Sequence, residues 1–191
     1  SRRLIIMVEH GDACSQRPSF LSAVKCIDIS SCHSVGFHVP EMRCVFETLL
    51  QSTTAETVGF INGDIMVFDG FVKSFAFASS YGRYMMVGRR HLSKEHIGNT
   101  RLTSLREKVV NLNFDHGYAV DYFVLRKLDL EELMEEFPPF VIGAWRWDNC
   151  LLASAFKSGL TVLDASTTAP ILHQNTPEGK FHEGRRGAEW N

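Results

Sequence analysis

The triplet Asn62-Gly63-Asp64 lies between two apolar runs, 58–61 and 65–68, where a buried strand ends and the chain turns. A carboxylate at such a strand end projects into the crevice beyond it, and Gly63 lets backbone approach a ligand closely. Hard carboxylate oxygen suits a divalent cation, the ion that stabilises a departing diphosphate in reactions of nucleotide diphosphate-sugars. Asn-Gly is also a common turn dipeptide, so the triplet is read either as a plain turn or as a metal-diphosphate site.

A second constellation is Ile142-Gly143-Ala144-Trp145-Arg146-Trp147-Asp148-Asn149, a glycine and aromatic loop that enters an amphipathic helix. Asp148 falls in the first helical turn, where an acid either answers the helix dipole or takes the proton of an attacking acceptor hydroxyl. Trp145 and Trp147 either stack on sugar faces or fill the core. A third is His173-Gln174-Asn175, three polar residues after the apolar Ile171-Leu172 that mark the rim of a site. His173 is either structural or a metal ligand. Arg89 and Arg90 follow Gly88 at another strand end and either contact phosphate or stay solvated.

The elements that must position these groups alternate in type. Residues 4–8 read as a buried strand leading into His10-Gly11-Asp12. Residues 41–52 read as a helix with Met42, Val45, Phe46, Leu49 and Leu50 on one face and Pro40 close to its start. Further strands are expected at 58–61, 84–87, 118–125 with Asp121 in its middle, and 160–163. Helices are expected at 71–79, at 128–137 ending on Pro138-Pro139, and at 147–157 with Gly159 as a stop. Residues 93–115 are polar and read as a flexible excursion with a short helix at 102–110. The alternation predicts one α/β unit with a largely parallel, layered sheet, whose ligands bind beyond the carboxyl ends of the strands.

Bulk properties narrow the function class. The 191 residues suit one domain, and 45% hydrophobic with 22% charged residues is an ordinary globular composition. A net charge of -2 gives no electrostatic reason to expect nucleic acid or an anionic membrane as partner. The five cysteines, Cys14, Cys26, Cys32, Cys44 and Cys150, are odd in number and contain no CxxC pair, so free thiols and a reducing, cytoplasmic setting are expected. No apolar run reaches the roughly 20 residues of a membrane span. The chain starts at Ser1-Arg2-Arg3 without an initiator Met and is expected to be a fragment, whose parent carries a Golgi-lumenal or membrane-anchored form as the alternative location.

Taken together, Phe60-Ile61-Asn62-Gly63-Asp64-Ile65, Val87-Gly88-Arg89-Arg90, Asp121-Tyr122-Phe123-Val124, Pro138-Pro139-Phe140-Val141-Ile142-Gly143, Trp147-Asp148-Asn149 and His173-Gln174-Asn175 resemble, in order and spacing, the motifs of GT-A-like glycosyltransferase domains. The resemblance implies a GT-A (Rossmann-like), mostly parallel mixed sheet flanked by helices over residues 1–175, lacking its first nucleotide-binding strand, with a loop or tail at 176–191. It implies Mn²⁺ or Mg²⁺ held by Asp64 and His173, and a nucleotide and diphosphate site at Asn62, Gly63, Arg89 and Arg90. Asp148 takes the place of the catalytic base of inverting members, or positions the acceptor if the anomer is retained. Asp121, Trp145, Trp147 and Asn149 fall on the acceptor or sugar side. The implied partners are a nucleotide diphosphate-sugar donor and a carbohydrate or glycoconjugate acceptor. Two positions depart from the pattern: Asn62 stands in place of the first acid of an Asp-x-Asp motif, and Cys150 replaces a Trp after Trp-Asp-Asn. A nucleotidyltransferase, which usually shows a basic Gly-rich loop, and a non-catalytic carbohydrate-binding remnant are the alternatives.

Overall fold

The computed structural model describes residues 5–8, 25–34, 39–63, 65–68, 70–93, 109, 120–143 and 146–174. In chain order its elements are β1 (Ile5–Val8), β2 (Lys25–Asp28), a 3-10 turn (Ser30–Cys32), α1 (Met42–Ser52), β3 (Thr57–Ile61), β4 (Ile65–Val67), α2 (Gly70–Ala78), β5 (Tyr84–Gly88), β6 (Arg90–Ser93), β7 (Tyr122–Arg126), α3 (Lys127–Glu135), α4 (Trp147–Lys157), β8 (Thr161–Asp164) and β9 (Ile171–Gln174). They fall into two units, one drawn from Ser1–Thr53 and Pro138–Trp147, the other from Thr54–Phe137 and Asp148–Lys180.

In the first unit β1 and β2 pair in parallel, Ile5 opposite Lys25. Helix α1 starts directly after the extended Pro40-Glu41, and its first N–H groups are met by other backbone: Met42 N–H donates to the Phe140 carbonyl at 2.7 Å. It buries Met42, Val45, Phe46 and Leu50, the stripe expected from the sequence with Leu49 at its half-buried margin. At its other end the Lys25 ammonium donates to the Ser52 carbonyl at 3.0 Å, a cation placed where the helix dipole favours one.

The free-thiol expectation is corrected here. Cys32 and Cys44 form a disulfide with their Cα atoms 5.4 Å apart, tying the 3-10 turn to α1. Cys26 is disulfide-bonded as well, whereas Cys150 is a free thiol. The Cys32–Cys44 bridge spans 12 residues, a loop whose closure stabilises a fold by roughly 3 kcal/mol. Replacing both by Ala is expected to remove about that much, read as a lower midpoint in oxidising chemical denaturation; an unchanged midpoint would contradict a stabilising bridge.

In the second unit β5 is buried at every position and β7 at its first four. Such continuous burial belongs to central strands, and the order β3-β7-β5-β8 places them there. On one face Tyr84, Met86, Tyr122 and Val124 pack with Ala78, Phe71 and Phe75 of α2. Helix α3 packs back on β7 and buries Leu130, Leu133 and Met134. Its buried Asp129 receives Arg126 at 2.7 and 2.8 Å and Arg83 at 3.1 Å. Burial alone would raise the Asp129 carboxyl, but the two guanidiniums outweigh it and hold it below the usual range.

The sheet is mixed. Strands β3, β5 and β8 run the same way, as a parallel sheet requires, but β7 lies antiparallel to both β3 and β5. Each co-directional strand passes at its carboxyl end into a strand of a second sheet, ordered β4-β9-β6: β3 into β4, β5 into β6 and β8 into β9. The carboxyl ends of three strands and the amino end of β7 therefore share one edge. Among the described residues, no helix is long and apolar enough to cross a membrane.

Candidate functional site

That shared edge is where most of the sequence-marked residues converge. Asn62 directly follows β3; its N–H donates to the Asp121 carbonyl at 3.3 Å and its side-chain Nδ2 to Asp121 Oδ1 at 3.1 Å. Asp121 precedes β7 and is not in mid-strand, because the ladder opens at Tyr122, opposite both Ile61 and Gly88. It is buried, and its N–H donates to the Gly88 carbonyl at 3.1 Å. Gly63, the residue after Asn62, is exposed.

Arg89 links β5 to β6. Its N–H donates to Ser166 Oγ at 2.8 Å, and its guanidinium reaches Asp164 Oδ2 at 3.4 Å. Ser166, almost wholly buried, donates through Oγ to Asp164 Oδ1, and its N–H bonds the same oxygen at 2.9 Å. Beneath them Tyr122 donates to the Ala169 carbonyl at 3.4 Å; burial and the Asp164 charge push its phenol well above the usual range. Arg90 opens β6, opposite Ile171.

Asp148 reaches the same end of the sheet from the first turn of α4. Its Oδ2 accepts from the Val120 N–H at 3.5 Å, one residue before Asp121, and its Oδ1 from Asn149 Nδ2 at 3.1 Å. Burial pushes its carboxyl above the ordinary range; the amides of Asn149, Val120 and Asp148 pull it back only in part. A raised pKa stabilises the fold in acid, below the unfolded value, and that stability is lost as pH rises through the folded value. The melting temperature of Asp148→Asn relative to wild type is therefore expected to climb as pH rises through that value. A pH-independent difference would contradict the burial of this charge.

His173 is half-buried in β9, opposite Ile65 on one side and Leu92 on the other. Ile65 directly follows Asp64 in the sequence. Asp64, Trp145 and Asn175 lie outside the described residues. Trp147 belongs to the first unit, buried with its ring 6.2 Å from that of Phe46, while Asn149 is exposed. Among the described residues no group of three His, Cys, Asp or Glu side chains stands together as a metal site.

No family model and no curated protein matches this chain.

Two features of this region carry no sequence motif: Asp164 and Ser166, which fix Arg89, are small polar residues in a connection and show no spacing of their own. In the first unit, Arg146, at φ 104°, holds a backbone region rarely adopted by a residue with a side chain.

Proposed function

We propose that the chain is the catalytic part of a metal-dependent glycosyltransferase with a GT-A-like arrangement, transferring a sugar from a nucleotide diphosphate-sugar to a hydroxyl of a carbohydrate or glycoconjugate. The observation that supports this most is the gathering of Asn62, Arg89, Asp121 and Asp148 at the carboxyl ends of co-directional strands, the place where open α/β sheets take their ligands.

In this reading Asp148 is the base. An acceptor hydroxyl oxygen attacks the anomeric carbon, its proton passes to the Asp148 carboxylate, and the diphosphate leaves with the electrons of the broken carbon–oxygen bond. Partial burial suits Asp148 to that work, because a raised pKa makes a stronger base. Arg89 and Arg90 follow the end of β5 and would receive the diphosphate charge. The ion would take most of its ligands from the diphosphate oxygens, with a carboxylate from Asp64 and an imidazole from His173, which stands opposite Ile65 in register. When bound, Mn²⁺ or Mg²⁺ would stabilise charge on the leaving diphosphate.

The Cys32–Cys44 bridge supports an oxidising compartment such as a secretory lumen in place of the cytoplasm. The activity is tested by incubating the oxidised protein with UDP-, GDP- and dTDP-sugars, Mn²⁺ and mixed saccharide acceptors, then recording the product anomer by NMR. Inversion at the anomeric carbon is expected; retention would contradict Asp148 as a base acting in a single displacement.

A further inference from the structure

Arg89 is met at its backbone and at its guanidinium by one pair of residues. Its N–H donates to Ser166 Oγ at 2.8 Å, that Oγ donates to Asp164 Oδ1, and Asp164 Oδ2 accepts from the guanidinium at 3.4 Å. The two carboxylate oxygens are held unequally. Oδ1 takes both the hydroxyl and, at 2.9 Å, the N–H of Ser166, which is 1% exposed, so Asp164 is pinned to a fixed point at the end of β8. Oδ2 meets the guanidinium through a single long contact, where a strong bidentate pair would sit at about 2.7–2.9 Å. The side chains of Arg89 and Asp164 are 32% and 54% exposed, and an ion pair so open to water is weak enough to yield to a phosphate.

We infer that Asp164 is an internal counter-ion that competes with the diphosphate for Arg89, and so limits how tightly the site holds its product. The inference rests on the glycosyltransferase reading, in which Arg89 receives diphosphate charge. Breaking the bond between the sugar and the diphosphate leaves a nucleoside diphosphate with one more ionisable oxygen than the donor, so the product is the more anionic of the two. An arginine facing that charge would hold the product hardest, and product release sets the turnover of many enzymes. A pinned carboxylate beside it takes the guanidinium back as the product leaves. Asp164→Asn separates the two functions of the carboxylate. The amide Oδ1 still accepts both Ser166 bonds, while Nδ2 presents a donor to a guanidinium that has only donors, so Arg89 is released and Ser166 is not.

The test is calorimetry of UDP, GDP and dTDP, each with Mn²⁺, against wild type, Asp164→Asn, Arg89→Gln and the double variant, with circular dichroism of each. For the nucleotide that wild type binds, Asp164→Asn is expected to bind about two- to fivefold more tightly, the range that a half-exposed ion pair carries. Arg89→Gln is expected to bind at least about tenfold more weakly, and adding Asp164→Asn to it to change nothing further. A merely structural role for Asp164 would weaken binding instead. Unchanged or weaker binding by Asp164→Asn overturns the inference, and so does equal tightening in the Arg89→Gln background, which would be long-range charge and not exchange. Where Asp164→Asn does not fold, the Arg89 Nε–H NMR signal of wild type, assigned by its loss in Arg89→Gln, decides: a shift on adding the nucleotide with Mg²⁺ supports exchange, and an unmoved signal overturns it. Wild type binding none of the nucleotides would instead remove the glycosyltransferase reading on which the inference rests.

Discussion

Asp148→Asn is expected to lower kcat by roughly 10²–10⁴-fold, the usual contribution of a positioned general base, with the donor KM little changed. The substitution keeps the shape of the side chain and an oxygen for the Val120 N–H, and Asp148 stands at the amino end of α4, off the strand ends that carry Asn62 and Arg89. What it removes is the ability to take a proton. Steady-state kinetics at saturating acceptor separates the outcomes: a fall in kcat alone supports the base role, near-normal turnover excludes it, and a rise in donor KM alone assigns Asp148 to binding. The acidic limb of the pH profile should be lost in the variant, because a base is inactive once protonated and burial places the Asp148 titration above that of an ordinary carboxylate.

Gly88→Ala is expected to be strongly destabilising. Gly88 pairs directly with Tyr122 across the antiparallel ladder, and the aromatic ring lies over the glycine, so an added Cβ would fall inside the ring. Tyr122 cannot swing aside. It is fully buried among Met86, Val124 and Ala169, and its ring meets Phe71 edge-on at 5.1 Å. Overpacking of this kind costs about 3 kcal/mol, and a chain of this length responds with a fall in Tm of roughly 10 °C. Gly82→Ala, where an added Cβ meets open space, is the control and should stay within about 0.5 kcal/mol of wild type. Equal melting of the two variants would contradict the packing of Tyr122 on Gly88.

How much of this was legible in the sequence depends on what each element needs in order to form. Strands β5 and β7 were readable because they are buried on both faces and so appear as unbroken apolar runs; helix α1 was readable from its stripe at spacings of three and four. Strands β2, β6 and β9 were not. They are four residues each and mix apolar with polar or charged positions, so they exist through their partners and not through their own pattern. The antiparallel course of β7 depends equally on long-range pairing, which strand and helix alternation does not encode. Asn62, Arg89 and Asp148 were visible as polar residues at the ends of apolar segments. Their anchors were hidden: Asp164 and Ser166 reach Arg89 from 75 and 77 residues away, and Asp121 meets Asn62 across 59. The Cys32–Cys44 bridge was hidden for the same reason, since a 12-residue separation without a motif signals neither pairing nor its absence.

The central claim is that this edge binds a nucleotide diphosphate-sugar through a divalent ion. Isothermal calorimetry of the oxidised protein with UDP-, GDP- and dTDP-sugars, each with and without Mn²⁺, tests it most directly. Binding of at least one donor that requires Mn²⁺ and is lost in Asp64→Ala is the expected result; no metal-dependent binding of any of them would contradict the claim and favour a non-catalytic carbohydrate-binding remnant.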